Sequence, residues 1–107
     1  MGVNKEFASF IEEQLAPIGH FSASPFFGGR AYSCHGQQFA WIIDSTLYLR
    51  VTDATRADFE AHGATPFSYN TKKGEVTVRK FYTAPEFLLD DPAELLAWSR
   101  RAMGAAA

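Results

Sequence analysis

The chain has 107 residues, 47% of them hydrophobic and 15% aromatic, with a formal net charge of −2 and one cysteine. That length builds a single core and hence one domain over residues 1–107, and that composition excludes a disordered or fibrous chain. The slightly acidic balance disfavours direct nucleic-acid binding, whose affinity comes mostly from neutralising phosphates, and a lone cysteine excludes an internal disulfide.

There is no charged-then-apolar leader at the amino terminus and no apolar run of bilayer length, so a cytoplasmic location without membrane contact is expected. The first helix is expected from Asn4 to about Leu15. Phe7, Phe10, Ile11 and Leu15 recur at helical spacing, Glu6, Glu12, Glu13 and Gln14 fall on the solvated side, and Asn4 is the N-cap. Pro17 and Gly19 end it.

Three antiparallel strands are expected between Ser22 and Val51. Gly28-Gly29 interrupts the first as a bulge or a close approach of another backbone; His35-Gly36-Gln37 turns the chain into the second strand, Gln38–Ile43. Asp44-Ser45 then leads into the third, Leu47–Val51. If that turn has two residues, Ile43 pairs with Thr46. Ala40, Ile42, Leu47, Leu49 and Val51 then share one face, and Phe39, Trp41, Tyr48 and Arg50 the other. A three-residue loop would exchange Phe39 and Trp41 onto the Leu47 face. The two-residue form is favoured because Asp suits tight turns.

A short helix starting at Asp53 carries Phe59 inward and stops at Gly63. Thr65–Tyr69 and Val76–Tyr82 form a second hairpin around Lys72-Lys73-Gly74. In the last helix Asp91 caps, Pro92 occupies the first position and Glu94 the third, where it can close a capping box. Leu95, Leu96, Trp98, Ala102 and Met103 give its apolar surface, and Arg100 and Arg101 its last turn. The expected fold class is α+β, with a five-stranded antiparallel sheet, helices packed on it and the order α-β-β-β-α-β-β-α.

Reactive groups lack credible partners. If Cys34 and His35 both lie in a strand, they point to opposite faces and cannot share a proton, and a small half-buried thiol next to a turn histidine explains them. His20, His35 and His62 lack metal-ligand spacing. Glu12-Glu13 belongs to a solvated helix side and Asp90-Asp91 to a cap, so neither makes an acid–base pair. Gly28-Gly29 leads into Arg30-Ala31-Tyr32, a strand, where a phosphate loop would lead into a helix. Lys72, Lys73, Arg79 and Lys80, with Tyr69 and Tyr82 nearby, could interleave in a nucleic-acid groove, but a solvated hairpin tip has the same pattern. No catalytic residue, metal or cofactor is expected.

Several landmarks resemble the amino-terminal domain of the TfoX/Sxy family of competence regulators. They are Phe27-Gly28-Gly29, Phe39-Ala40, Leu47-Tyr48-Leu49-Arg50, Thr55-Arg56 with Phe59, Gly63, Pro66-Phe67 and Phe81-Tyr82 followed by Pro85. The tail Leu88-Leu89-Asp90-Asp91-Pro92-Ala93-Glu94-Leu95-Leu96-Ala97-Trp98 completes the series. The resemblance covers about Phe26 to Ala102. It departs from the family pattern at Phe26, Ala31 and Ser45, and the sequence ends at Ala107 where competence regulators continue into a helical domain, so it looks like the stand-alone members.

The resemblance implies a two-layer α+β fold in a bacterial protein. It further implies a non-enzymatic role as a transcription coactivator or adaptor that contacts a protein partner such as a transcription regulator. The face holding Trp41, Tyr48, Arg50 and Phe39 is the expected partner site, since Trp, Tyr and Arg dominate interface hot spots; the same aromatics could instead lie under a helix. The alternative is a homodimer closed through an open sheet face or edge, or a small-molecule-binding domain of unrelated role.

Overall fold

A computed structural model describes residues 4–106. Its elements are α1 (Lys5–Leu15), β1 (Ser22–Phe26), β2 (Gly29–Cys34), β3 (Gln37–Ile43), β4 (Thr46–Arg50), α2 (Asp53–Ala61), β5 (Pro66–Thr71), β6 (Gly74–Thr83) and α3 (Pro92–Ala106). Short 3₁₀ turns occupy Ala16–Ile18 and Glu86–Asp90. The strands form one antiparallel sheet in the order β1-β2-β3-β4-β6-β5.

The α+β class stands, with six strands where the sequence suggested five. The extra strand comes from Phe27-Gly28. These two residues close a hairpin, at φ 50° and 75°, and Phe26 pairs with Gly29 across it. Gly29 then makes the close backbone approach: a Cβ built there would lie 2.1 Å from the Ile42 carbonyl oxygen. Of the two readings of the glycine pair, Gly28 is a turn and Gly29 the contact.

Local signals hold at the helix starts. The Phe7 N–H donates to Asn4 Oδ1 at 3.1 Å, and the Glu94 N–H to Asp91 Oδ1 at 3.2 Å. The Asp91 N–H turns back to the Leu88 carbonyl, closing the preceding 3₁₀ turn. The reciprocal capping box belongs to α2, where Thr52 and Thr55 exchange side-chain and backbone bonds. Gly63, at φ 79°, ends α2 after the cap residue His62. Because α3 continues to Ala106, Arg100 and Arg101 precede its last turn; Arg101 instead pairs with Asp58 and lies 5.3 Å from the Trp98 ring centre.

Two cores sit on opposite faces of the sheet. On the helix side, Ala8, Ile11 and Leu15 of α1, Phe59 of α2 and Leu95, Trp98 and Ala102 of α3 cover Tyr32, Ala40, Ile42, Leu47, Leu49 and Val51. Phe10, expected inside, is 37% exposed. Glu12, expected on the solvated side, is partly buried: Tyr32 and Arg30 both donate to its Oε2 at 2.6 Å, tying α1 to β2.

Burial first, and then the bond to Glu12, raise the Tyr32 hydroxyl well above the ordinary tyrosine range. The folded state therefore holds this proton more tightly than the unfolded chain does. Its contribution to stability is complete below about pH 10, where a free tyrosine begins to ionise, and is lost as pH rises beyond that. We expect the unfolding free energy to fall with pH above this point, and Tyr32→Phe to flatten part of that fall while costing about 1–2 kcal/mol at neutral pH. Urea unfolding at a series of pH values measures both. An unchanged alkaline slope in the variant would remove Tyr32 as a cause.

Candidate partner-binding surface

The Asp44-Ser45 turn has two residues and pairs Ile43 with Thr46 and Ile42 with Leu47. Strict alternation then sends Trp41, Ile43, Tyr48 and Arg50 to the face away from the helices. Phe39 does not join them. Tyr32 pairs with Ala40 and Ser33 with Gln38, leaving Phe39 as the extra residue of a bulge. Its ring turns to the helix side, fully buried, and meets Phe21 edge-on at 6.2 Å. The expected grouping of Phe39 with Trp41 is corrected for that reason.

Nor, among the described residues, does a helix cover the second face. The sheet curls until its own ends close over it, so Ala31, Trp41, Ile43, Phe67 and Phe81 form a second core, with Phe26, Tyr48, Tyr69 and Val78 packed around them. Phe81 stacks on Trp41 with ring centres 3.7 Å apart and planes at 8°, Phe26 lies 4.4 Å away, and Phe67 abuts the indole edge-on at 5.3 Å. The indole N–H donates to Gln38 Oε1 at 2.9 Å. With 6% of its surface exposed, Trp41 forms the floor of this face.

The accessible part is the rim. Arg50 is half-buried, its guanidinium 5.6 Å from the Phe81 ring centre and within 3.4 Å of the Gln38 carbonyl. Tyr48 is also half-buried and meets Phe67 edge-on at 5.2 Å. Burial, and then the Asp44 carboxylate, raise its hydroxyl pKa, so at neutral pH Tyr48 offers an uncharged hydrogen-bonding group. Phe27, held in a left-handed backbone conformation, is 46% exposed and rests on Phe26, Phe67 and Tyr69.

The rim therefore joins a cation to Tyr48, Phe27 and Tyr69. Phe27 escaped the sequence reading as a surface candidate, although the Phe-Phe pair before Gly28 marks it, and Tyr69 entered that reading only as a neighbour of the basic hairpin residues. The remaining motif residues are structural: Gly28 and Gly29 shape the β1–β2 hairpin, and Asp91, Pro92 and Glu94 start α3.

Clefts also lie elsewhere among the described residues. One of about 530 Å³ is lined among others by Phe7, Leu47, His62, Pro85 and Phe87, and one of about 520 Å³ by Cys34, His35, Gln37, Met103 and Gly104. Among the described residues no group of three or more His, Cys, Asp or Glu is placed to hold a metal, and no helix is long and apolar enough to cross a membrane.

A family model described as the TfoX N-terminal domain matches residues 13–106. No curated protein matches the chain.

Proposed function

The chain belongs to the TfoX N-terminal domain family, and from that membership we propose that it is a non-enzymatic regulatory adaptor working in transcription control. The family match carries this reading, because competence-related regulation is the role that the resemblance implies. The adaptor contacts protein and not nucleic acid, in keeping with a net charge of −2. Its partner docks on the second sheet face through Arg50 and Tyr48, with Trp41 holding that face in shape from beneath.

The physical support is the make-up of the rim. Half-buried Arg and Tyr side chains over a rigid aromatic floor lose little conformational freedom when a partner arrives. Replacing such an anchor costs about 2 kcal/mol, or roughly thirtyfold in affinity.

The test is the host transcript profile after brief induced expression of wild type and of Arg50→Glu, with the variant's fold checked by circular dichroism. Wild type is expected to change a defined set of transcripts, and the folded variant to lose most of that response. No response to wild type would overturn the regulatory reading. A full response to Arg50→Glu would keep the regulation and remove this face from it.

A further inference from the structure

We propose that β5 is a self-association edge, where a second copy of this chain pairs antiparallel to it about a two-fold axis at Tyr69. Among the described residues the sheet ends on β1 and β5, and the two edges are built differently. In both hairpins a two-residue turn joins the strands, so the residues flanking the turn are a hydrogen-bonded pair and every second residue beyond bonds inward. For β1 the flanking pair is Phe26–Gly29, so Ser24 and Ser22 bond inward and Ala23 and Pro25 face out. Pro25 has no N–H to offer there, and a proline at an outward position is a usual protection of an edge.

For β5 the flanking pair is Thr71–Gly74, so Phe67, Tyr69 and Thr71 bond inward and Ser68 and Asn70 face out. Both are exposed, both keep their N–H, and Phe67–Thr71 contains neither proline nor charge. The one irregularity in this pairing lies before it, between Pro66 and Phe67. Pro66 and that irregularity guard only the start of β5; from Phe67 to Thr71 the edge has none of the usual protections.

A second copy fits it because the strand is complementary to itself. With the two-fold axis at Tyr69, Ser68 of one copy faces Asn70 of the other, and each pair exchanges both backbone hydrogen bonds. Lys72 and Lys73 fall opposite Pro66 and Thr65, so no like charges oppose each other. The two Tyr69 rings meet directly on the face where Phe27, Val76 and Val78 are already exposed or half-buried. That contact removes apolar surface from water on both copies, and an isologous pair of this kind closes without leaving a further β5 edge. Association here leaves Arg50 and Tyr48, on β4, free for another protein, so the inference goes beyond the adaptor role and does not depend on it.

Two variants of the full chain test it, with sedimentation velocity over a range of concentrations as the readout. Wild type is expected to shift from monomer to dimer mass with concentration. Asn70→Pro removes an outward N–H that β6 does not use, and is expected to weaken dimerisation about tenfold or more with an unchanged circular dichroism spectrum. Tyr69→Cys in a Cys34→Ser background should cross-link on mild oxidation, since a non-hydrogen-bonded pair across the axis brings Cα atoms to about 4.5 Å. Val76→Cys in the same background should not. A monomer mass at every concentration, or a dimer in which Tyr69→Cys fails to cross-link, overturns the proposal whatever the fate of the proline variant.

Discussion

Gly29→Ala is expected to destabilise the protein by about 4 kcal/mol or more, at the far end of what single substitutions do. The added methyl carbon would sit 2.1 Å from the Ile42 carbonyl oxygen and 3.1 Å from both the Ile42 carbonyl carbon and the Ile43 Cα. These are backbone atoms, so no rotamer change relieves the contact. Moving β2 away would break its pairing of Arg30 with Ile42 and Ala31 with Trp41. The same movement would press β2 on β1, which is paired along its whole length. Gly36→Ala is the control: it alters the glycine of the turn at the other end of β2, but open space surrounds it, so only the positive φ of 78° opposes an alanine. That costs about 1–2 kcal/mol. Equilibrium urea unfolding of both variants gives the comparison, and equal losses would mean that the β2–β3 contact is not the constraint described here.

Much of the fold was legible because its signals are local. Asn4, Asp91-Pro92 and Gly63 act within a turn of themselves, and the two-residue Asp44-Ser45 turn fixes the pairing of β3 with β4. What escaped depends on residues distant in sequence. Phe27 adopts φ 50°, which a bulky side chain resists; here packing on Phe26, Phe67 and Tyr69 offsets the strain, and two of those neighbours lie forty residues away or more. Phe39 fits a period of two as well as any strand residue does, so nothing local marks it as the bulge. Glu12 sits at the margin of the apolar stripe on α1, and only the folded sheet brings Arg30 and Tyr32 to it. Alternation assigned Trp41, Tyr48 and Arg50 correctly to one face, but could not say that Phe67 and Phe81 would close over it. The candidate site changed most for that reason: the rim is available to a partner and the indole is not.

The distinction between floor and rim predicts opposite behaviour for two neighbouring positions. Trp41→Ala is expected to cost about 3–5 kcal/mol, because it removes a large buried ring from among side chains that can only partly collapse into the space. It ends the stack on Phe81, the contacts with Phe26 and Phe67, and the bond to Gln38. Arg50→Ala gives up only a half-exposed cation near Phe81 and a long contact to a carbonyl, and should cost no more than about 1 kcal/mol. Trp41→Phe keeps an aromatic ring in the stack and should recover a substantial part of the loss. Chemical denaturation of the three variants gives the order directly. The order also governs how any loss of regulatory response is interpreted: a defect in Trp41→Ala reports the collapse of the second core, whereas one in the folded Arg50 variant reports a lost contact. If Trp41→Ala kept full stability and still abolished the response, the indole would have to leave its stack to meet a partner, and the face would be a site that opens on binding.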